Sequence, residues 1–393
     1  MTSTHPEKQG AMPHVLIIGG GIGGLCLAQG LSKAGITVTV CERGASAAFR
    51  GQGTRISLKE AGGHALRACL PANLFDLCVA TSIASAGRLV VMDQLLNQAF
   101  AIPLPAPDPA LAFGVNRLTL REILLCGLED VVFFGKTFTH FEQVDGKQVR
   151  AHFADGDSVT ADLLVGADGT DSATRAQLVP DAEIEDLNWS IWGKTPIRPG
   201  TLDWVPDELF ETFNRVNGPD GLGMSVATCR ARRPVAGAVA EFAPGARVTD
   251  VPGYFSWTIN LAGIPHDTGA AALHRLASDL IEDWHPALRR ILAEAEVGAT
   301  FPVRVRSALP IRPWSSATVT LLGDAVHTMS PSRGEGANTA LRDAEVLCGK
   351  LIGVAAGEVT LEEAKAEYEA EMLRYGFGAV AESRTNPLLR MRG

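Results

Sequence analysis

No two of the seven cysteines of this 393-residue chain stand at C-x-x-C spacing. They are Cys26, Cys41, Cys69, Cys78, Cys126, Cys229 and Cys348, an odd and scattered set. That pattern argues against a disulfide framework or a zinc site, and it fits a reducing, cytoplasmic compartment. Long apolar runs are also missing. Val15–Ile18 is too short to cross a bilayer and ends at once in glycines. The polar stretch from Met1 to Pro13 lacks the apolar segment of a secretory signal. Charge is sparse at 20%, and acidic residues outnumber basic ones 44 to 35, giving a net charge of −9. Such a chain is not built to hold nucleic acid over a broad surface, whereas a small-molecule ligand is unaffected by this balance. Repeats and low-complexity tracts are absent. The 46% of hydrophobic residues suffices for sizeable cores, and the length suggests two to three domains.

What is present begins with a strand, a glycine turn and a helix. The run His14–Ile18 has the continuous apolar character of a buried parallel strand. The cluster that follows satisfies G-x-G-x-x-G at Gly19, Gly21 and Gly24, and Leu25 to Ala34 have helical composition. In this pattern the first glycine permits the tight turn, the second admits a pyrophosphate to the backbone, and the third lets helix and strand pack closely. The helix start offers free N–H groups and a positive dipole end to the phosphates. Thr37–Cys41 is β-branched and reads as a second strand. Glu42 closes it, where a carboxylate accepts hydrogen bonds from a ribose. An acid there disfavours a 2′-phosphate, so the nucleotide is FAD or NAD rather than NADP.

A second motif decides between these two. Leu321-Leu-Gly-Asp-Ala-Val-His-Thr-Met-Ser-Pro-Ser-Arg-Gly-Glu-Gly-Ala-Asn338 reads as a strand, an acid at its end, a loop with Pro331, two glycines and a helix start. Asp324 can accept from a sugar-chain hydroxyl, while Gly334 and Gly336 let the backbone approach a flat ring. The following helix N-terminus favours the negative charge that a reduced flavin carries at its N1–C2=O edge. A nicotinamide enzyme needs no such distant second site, so the pattern points to FAD. A third motif, Asp162-Leu-Leu-Val-Gly-Ala-Asp-Gly-Thr-Asp-Ser-Ala-Thr-Arg175, places Asp168 after a strand and Ser172 and Arg175 on a starting helix.

The pattern of elements predicts an α/β fold. It combines a Rossmann-like FAD-binding domain of the G-x-G-x-x-G type with an inserted mixed-sheet substrate domain and a C-terminal helix. The FAD-binding domain is expected to be discontinuous, over 1–80, 101–180 and 301–360. Residues 81–100 and 181–300 form the expected substrate domain, and 361–393 the C-terminal helix. Residues 117–129 read as a helix, and Val131 to Val165 as short strands with turns at Asp145-Gly146 and Asp155-Gly156, a small antiparallel meander feeding the strand Asp162–Val165. Val226 to Phe242 and Tyr254 to Leu261 read as strands, 270–295 as helical, and Thr318–Leu322 as another buried strand.

Three such motifs in this order resemble the single-component FAD-dependent aromatic hydroxylases, the p-hydroxybenzoate hydroxylase-like monooxygenases. The resemblance runs from Val15 to about Asn386. Asn116-Arg117…Leu120-Arg121-Glu-Ile-Leu-Leu125 and Tyr368-Glu…Tyr375-Gly376…Glu382-Ser383…Asn386 are similar to the tetracycline-monooxygenase branch. The resemblance implies that Gly19, Gly21 and Gly24 hold the FAD pyrophosphate and that Glu42, with Arg43 beside it, holds the adenosine ribose. It also implies a backbone contact at Gly53 and a flavin contact at Arg117. Asp324 would bind the ribityl chain, and Pro331, Gly334, Gly336, Ala337 and Asn338 would lie along the isoalloxazine. Asp168 and Arg175 would belong to the motif tied to FAD and NAD(P)H use. Two departures stand out: Glu335 replaces the usual Gln between the loop glycines, and Val326-His327 replaces the usual Ala-His. A carboxylate beside the flavin lowers its reduction potential.

The implied activity is insertion of one oxygen atom from O₂ into an aromatic or polycyclic small molecule through a C4a-hydroperoxyflavin, with NAD(P)H, either NADH or NADPH, as reductant. The hard chemistry belongs to the cofactor, so no side chain is assigned as catalytic and no metal is expected. His327 suits a structural hydrogen bond better than acid–base work. Met224, Phe255 and Trp257 are the candidate substrate-lining residues, with core packing as their plainer role. No nucleic-acid or membrane partner is expected, and the assembly is a monomer or homodimer. The same motifs also suit a flavin-dependent oxidase, dehydrogenase or reductase, or a non-catalytic flavin-binding protein. A halogenase lacks support, since Trp192-Gly-Lys-Thr-Pro196 does not supply the Trp-x-Trp-x-Ile-Pro motif.

Overall fold

The β-branched and aliphatic runs of the chain assemble one parallel sheet from distant thirds of the sequence. Its five strands lie in the order Val319–Leu321, Leu163–Gly166, His14–Ile18, Thr37–Glu42 and Val132–Phe134, all parallel. The computed structural model describes residues 12–46, 55–83, 87–103, 108, 110–210, 213–264 and 268–385.

Both faces of this sheet are covered, as its continuous apolar strands require. Val15, Ile17 and Val165 pack into a core beneath the helices Ile22–Lys33, Glu60–Cys69 and Gly336–Ala355. Leu16, Ile18 and Leu164 point the other way, onto Val149, Ala151 and Phe153 of a three-stranded antiparallel meander. The first helix begins at Ile22 and so takes in Gly23 and Gly24, three residues earlier than composition suggests. Close packing explains this, because a Cβ on Gly24 would lie 2.3 Å from the carbonyl oxygen of Gly19.

A second, seven-stranded sheet has the order Phe301–Ala308, Ile184–Pro196, Tyr254–Leu261, Gly223–Cys229, Phe213–Asn217, Arg88–Asp93 and Gln98–Pro103. All its pairings are antiparallel except that of Phe213–Asn217 with Arg88–Asp93. Two expectations are corrected here. The strand read over Val226 to Phe242 ends at Cys229, and Val235–Phe242 is a helix entered at Pro234. Proline's fixed φ suits a helix start, and the alanine-rich segment after it favours helix over strand. The strand Phe301–Ala308, expected in the nucleotide-binding part, pairs with Ile184–Pro196 at an edge of the second sheet.

The chain closes with the helix Leu361–Arg384, begun by a capping box in which Thr360 and Glu363 bond each other's backbone N–H. It packs on Gly336–Ala355, and Tyr368 donates its hydroxyl to the Leu321 carbonyl at 2.8 Å. Among the described residues no helix is long and apolar enough to cross a membrane.

Candidate active site

The glycine turn at the end of His14–Ile18 is shaped by contacts that exclude side chains. Gly19 has φ +113°, and a Cβ there would meet the Ala167 carbonyl oxygen at 2.4 Å. Gly21 differs, since nothing lies within 4 Å of a Cβ built on it. It is the N-cap of Ile22–Lys33 and no side chain caps that helix. The helix therefore presents its first N–H groups into open space, the arrangement that binds a phosphate.

Glu42 is half-buried at the end of its strand. Its Oε2 accepts from Gly20 N at 2.8 Å and its Oε1 from Gly44 N at 2.7 Å. Arg121, from the helix Arg117–Leu125, lies 3.7 Å from the same carboxylate and donates Nε to the Gly20 carbonyl at 3.0 Å. This arginine thus locks both the acid and the turn. Arg43 lies beside Glu42, and Gly53 lies outside the described residues.

At the C-terminal end of Val319–Leu321 the chain turns through Gly323 into a short helix, Asp324–His327. The Asp324 carboxylate opens outward from this turn. Desolvation by the surrounding protein nevertheless pushes its carboxyl above the usual range, against the lowering charges of His327 and Arg117. A Cβ on Gly336 would lie 3.8 Å from Asp324 Oδ1, so the second glycine faces the acid. Arg117 begins its helix directly after Asn116, whose side chain caps it by accepting from Leu118 N at 2.9 Å.

The loop between Pro331 and Asn338 is braced from the other end of the sequence. Pro331 opens a short 3₁₀ turn, and Gly334 follows in a left-handed conformation at φ +67°. Asn338 is buried and its amide is fully used: Oδ1 accepts from Lys59 N at 2.8 Å, and Nδ2 donates to Ser57 O at 3.0 Å and Gly334 O at 2.8 Å. Ala337 stands half-exposed between them. Glu335 forms an ion pair with Lys59, so the carboxylate that replaces the usual amide does not face the site as a naked charge.

Asp168 serves its own turn, accepting from Ser172 Oγ at 2.5 Å and from Thr174 N at 3.1 Å. Arg175 then bridges two motifs, donating to Thr170 O at 2.9 Å and to Ala325 O at 3.0 Å. Arg306 makes a bidentate pair with Asp171 at 2.6 and 3.0 Å.

His327 has no exposed surface. Its Nε2 lies 2.8 Å from Asp343 Oδ2, and a Cβ on Gly376 of the last helix would lie 2.6 Å from its ring. Asp343 also accepts from Gly323 N at 2.7 Å and from the Tyr375 hydroxyl at 2.6 Å. Burial works against charging His327, but the charge and hydrogen bond of Asp343 outweigh it and raise its pKa. The imidazole is a buried strut.

Met224, Phe255 and Trp257 are each 0% exposed. They point to the closed face of the second sheet, packed with Val226, Ile259, Leu288 and Ile291, and Trp257 donates Nε1 to Thr195 at 3.1 Å. The opposite face of that sheet turns toward the start of the helix Arg117–Leu125, because the Tyr254 hydroxyl accepts from Asn116 Nδ2 at 3.0 Å. Period-two alternation cannot tell which face of a strand is closed, and this explains why residues of the inner face were the candidates. Lys59, Arg121 and Arg306 were missed for another reason: each is held by a partner far away in sequence, while Asp343 gains its place only from the folding of His327 and Gly323 onto it.

Comparison with known proteins bears on these features together. A family model described as "FAD binding domain" matches residues 126–383, and one described as "NAD(P)-binding Rossmann-like domain" matches 17–81. The chain is 32% identical over 97% of its length to the dual O-methyltransferase/FAD-dependent monooxygenase elcB of Phaeosphaeria nodorum. It covers 46% of that protein, and so spans about half the length of the first curated relatives it matches. A solved structure described as a putative FAD-containing monooxygenase from Photorhabdus luminescens subsp. laumondii is 32% identical, with a TM-score of 0.81. The alignment covers 96% of this chain and 97% of that one. The tetracycline destructase Tet(51) shares the fold at 18% identity, with a TM-score of 0.65 over 97% of this chain and 96% of that one.

Proposed function

We propose, for a chain that belongs to the FAD-dependent monooxygenase family, that it uses NAD(P)H and O₂ to insert one oxygen atom into an aromatic or polycyclic small molecule. One observation carries this reading. The bare helix N-terminus at Gly21 and the outward-facing Asp324 stand at the C-terminal ends of strands of one sheet, and the open face of a second sheet turns toward that domain. An extended dinucleotide bound at the first point and held at the second presents its far end to that face.

The residues fit FAD. Gly21 and the first turn of Ile22–Lys33 bind the pyrophosphate, with Gly19 and Gly24 making the turn tight enough to do so. Glu42 is oriented by Gly20, Gly44 and Arg121, and its carboxylate keeps lone pairs for ribose hydroxyls, as Asp324 does for the ribityl chain. The start of the helix Gly336–Ala355 favours negative charge at the edge of the ring. When bound, FAD supplies hydride acceptance and the activation of O₂. The chain's own part is to orient the substrate and keep water out. The parallel sheet with its helices then serves as the FAD-binding domain, and the seven-stranded sheet as the substrate domain.

The test is oxidation of NAD(P)H by the purified yellow protein, with and without phenolic and polycyclic compounds, followed by product mass. A compound that accelerates oxidation and gains one oxygen atom supports the reading. Failure of NAD(P)H to bleach the flavin without oxygen replaces it with a binding-protein role, and turnover without oxygen insertion replaces it with an oxidase.

A further inference from the structure

The helix Arg117–Leu125 is gripped by parts of the chain that lie far from it in sequence. Gln29, buried in the helix Ile22–Lys33, donates its amide to the Leu124 carbonyl at 2.9 Å and to the Cys126 carbonyl at 2.8 Å. This pins the C-terminal end of Arg117–Leu125 to the first helix of the chain. Two further grips come from the second sheet. Asn116, the N-cap, accepts from Leu118 N at 2.9 Å and from Thr119 N at 3.3 Å, and its Nδ2 donates to the Tyr254 hydroxyl at 3.0 Å. Tyr254 opens the strand Tyr254–Leu261. Farther along the helix, Glu122 accepts from Thr249 N at 2.7 Å and from Thr249 Oγ1 at 2.8 Å.

These are buried polar joints, since Asn116, Glu122 and Tyr254 are all withdrawn from solvent. Buried polar groups hold their partners firmly, because a group left without one loses its water as well. The residues beside the joints serve the nucleotide cleft. Arg117 and Arg121 stand one turn apart on a single face of the helix. Arg121 donates Nε to the Gly20 carbonyl at 3.0 Å and lies 3.7 Å from the Glu42 carboxylate, and the charge of Arg117 is felt at Asp324. One short helix thus meets the segment that enters the second sheet at positions 116 and 122, and the cofactor cleft at positions 117 and 121.

We propose that Thr249 and Tyr254 are positioning residues for FAD. Through Glu122 and Asn116 they set the axis of Arg117–Leu125, and with it the arginine that holds the Gly20 carbonyl and Glu42 in place. The cofactor cleft of the first sheet is completed from the second sheet, and two side chains outside the nucleotide-binding motifs tune its affinity. Coupling of this kind needs a rigid element that both sites bias. A nine-residue helix pinned at its far end by Gln29 is such an element. The inference rests on FAD binding and not on oxygen chemistry, so it stands or falls apart from the monooxygenase reading.

The experiment is a double-mutant cycle read in FAD affinity. FAD is titrated into the whole chain freed of cofactor, followed by quenching of flavin fluorescence, and the melting temperature of the FAD-free form is recorded beside it. Tyr254→Phe is expected to weaken FAD binding about fivefold, the scale of one hydrogen bond. In an Arg121→Met background the same change is expected to weaken it about twofold or less, because the contacts it acts through are already gone. Independent sites would add, with about fivefold in both backgrounds. Thr195→Val is the control for a merely structural role. It removes buried hydrogen bonds to Trp257 and Ile291 in the second domain, and it should lower the melting temperature without changing FAD affinity. Unchanged affinity in Tyr254→Phe, equal losses in the two backgrounds, or a matching loss in Thr195→Val overturns the proposal. If Tyr254→Phe fails to fold, Thr249→Val decides, since it removes only Oγ1 and must show the same dependence on Arg121. If Arg121→Met binds FAD too weakly to titrate, Arg121→Lys serves as the background and is read by the same two outcomes.

Discussion

His327 and Asp343 face each other at 2.8 Å with neither side chain exposed, and the last helix seals the pair through Gly376 and Tyr375. The Gly-Asp loop is thereby tied to a helix from the far end of the sequence. Asp343→Asn removes the charge that three donors share. Breaking a buried ion pair costs about 3–5 kcal/mol, so the melting temperature should fall by several degrees.

The pH dependence of that loss has a definite sign. The pKa of His327 is raised in the folded chain, so its contribution is fully present below its unfolded value of about 6.5 and fades as pH rises through the folded value. The gap in melting temperature between wild type and Asp343→Asn should be widest in mildly acidic buffer and narrow toward alkaline pH. A gap that widens with pH contradicts the assignment.

Lys59→Met leaves Glu335 without its partner. Lys59 is 47% exposed, so stability should change by no more than about 1 kcal/mol. With the flavin placed as proposed, the uncovered carboxylate should lower its potential by on the order of 20 mV, as about 1 kcal/mol corresponds to in a two-electron couple. Adding Glu335→Gln to Lys59→Met should restore it. A potentiometric titration of the three proteins reads this directly.

Two glycines of one motif should behave differently. A side chain at Gly21 meets open space, so Gly21→Val should fold with an unchanged melting temperature in its FAD-free form and yet bind FAD at least about tenfold more weakly. Gly24→Val meets the Gly19 carbonyl and should lose stability as well. Flavin-to-protein absorbance ratios and melting curves separate the two outcomes.

Asn338→Ala removes three hydrogen bonds, two that hold the loop to Lys59 and Ser57 and one to Gly334 within it. At about 1 kcal/mol each, the loss should be about 3 kcal/mol, accompanied by weaker FAD retention on dialysis.

The strand ends that carry the glycine turn, Glu42, Asp168 and Asp324 were legible in the sequence because the apolar run before each is plain to read. The helix over Arg117–Leu125 and the capping at Thr360 were equally local. The second sheet was harder. Its strands alternate, but whether Phe255 or Tyr254 faces inward depends on what covers each face, and no residue of the strand states that. The helix at Val235–Phe242 was hidden in an apolar stretch that suits either state. Lys59 gained meaning only from Glu335, 276 residues further along the chain.

The central order of the parallel sheet, with Leu163–Gly166 held between His14–Ile18 and Val319–Leu321, sets a schedule for biosynthesis. The strand that carries Asp324 is the last of the five to leave the ribosome, and the helix that locks His327 follows it. A nascent chain halted before Val319 leaves Leu163–Gly166 as an unpaired edge and lacks one whole wall of the nucleotide cleft. Cofactor capture thus waits on the strand Val319–Leu321, and until that strand is made the edge of Leu163–Gly166 stays open to pairing.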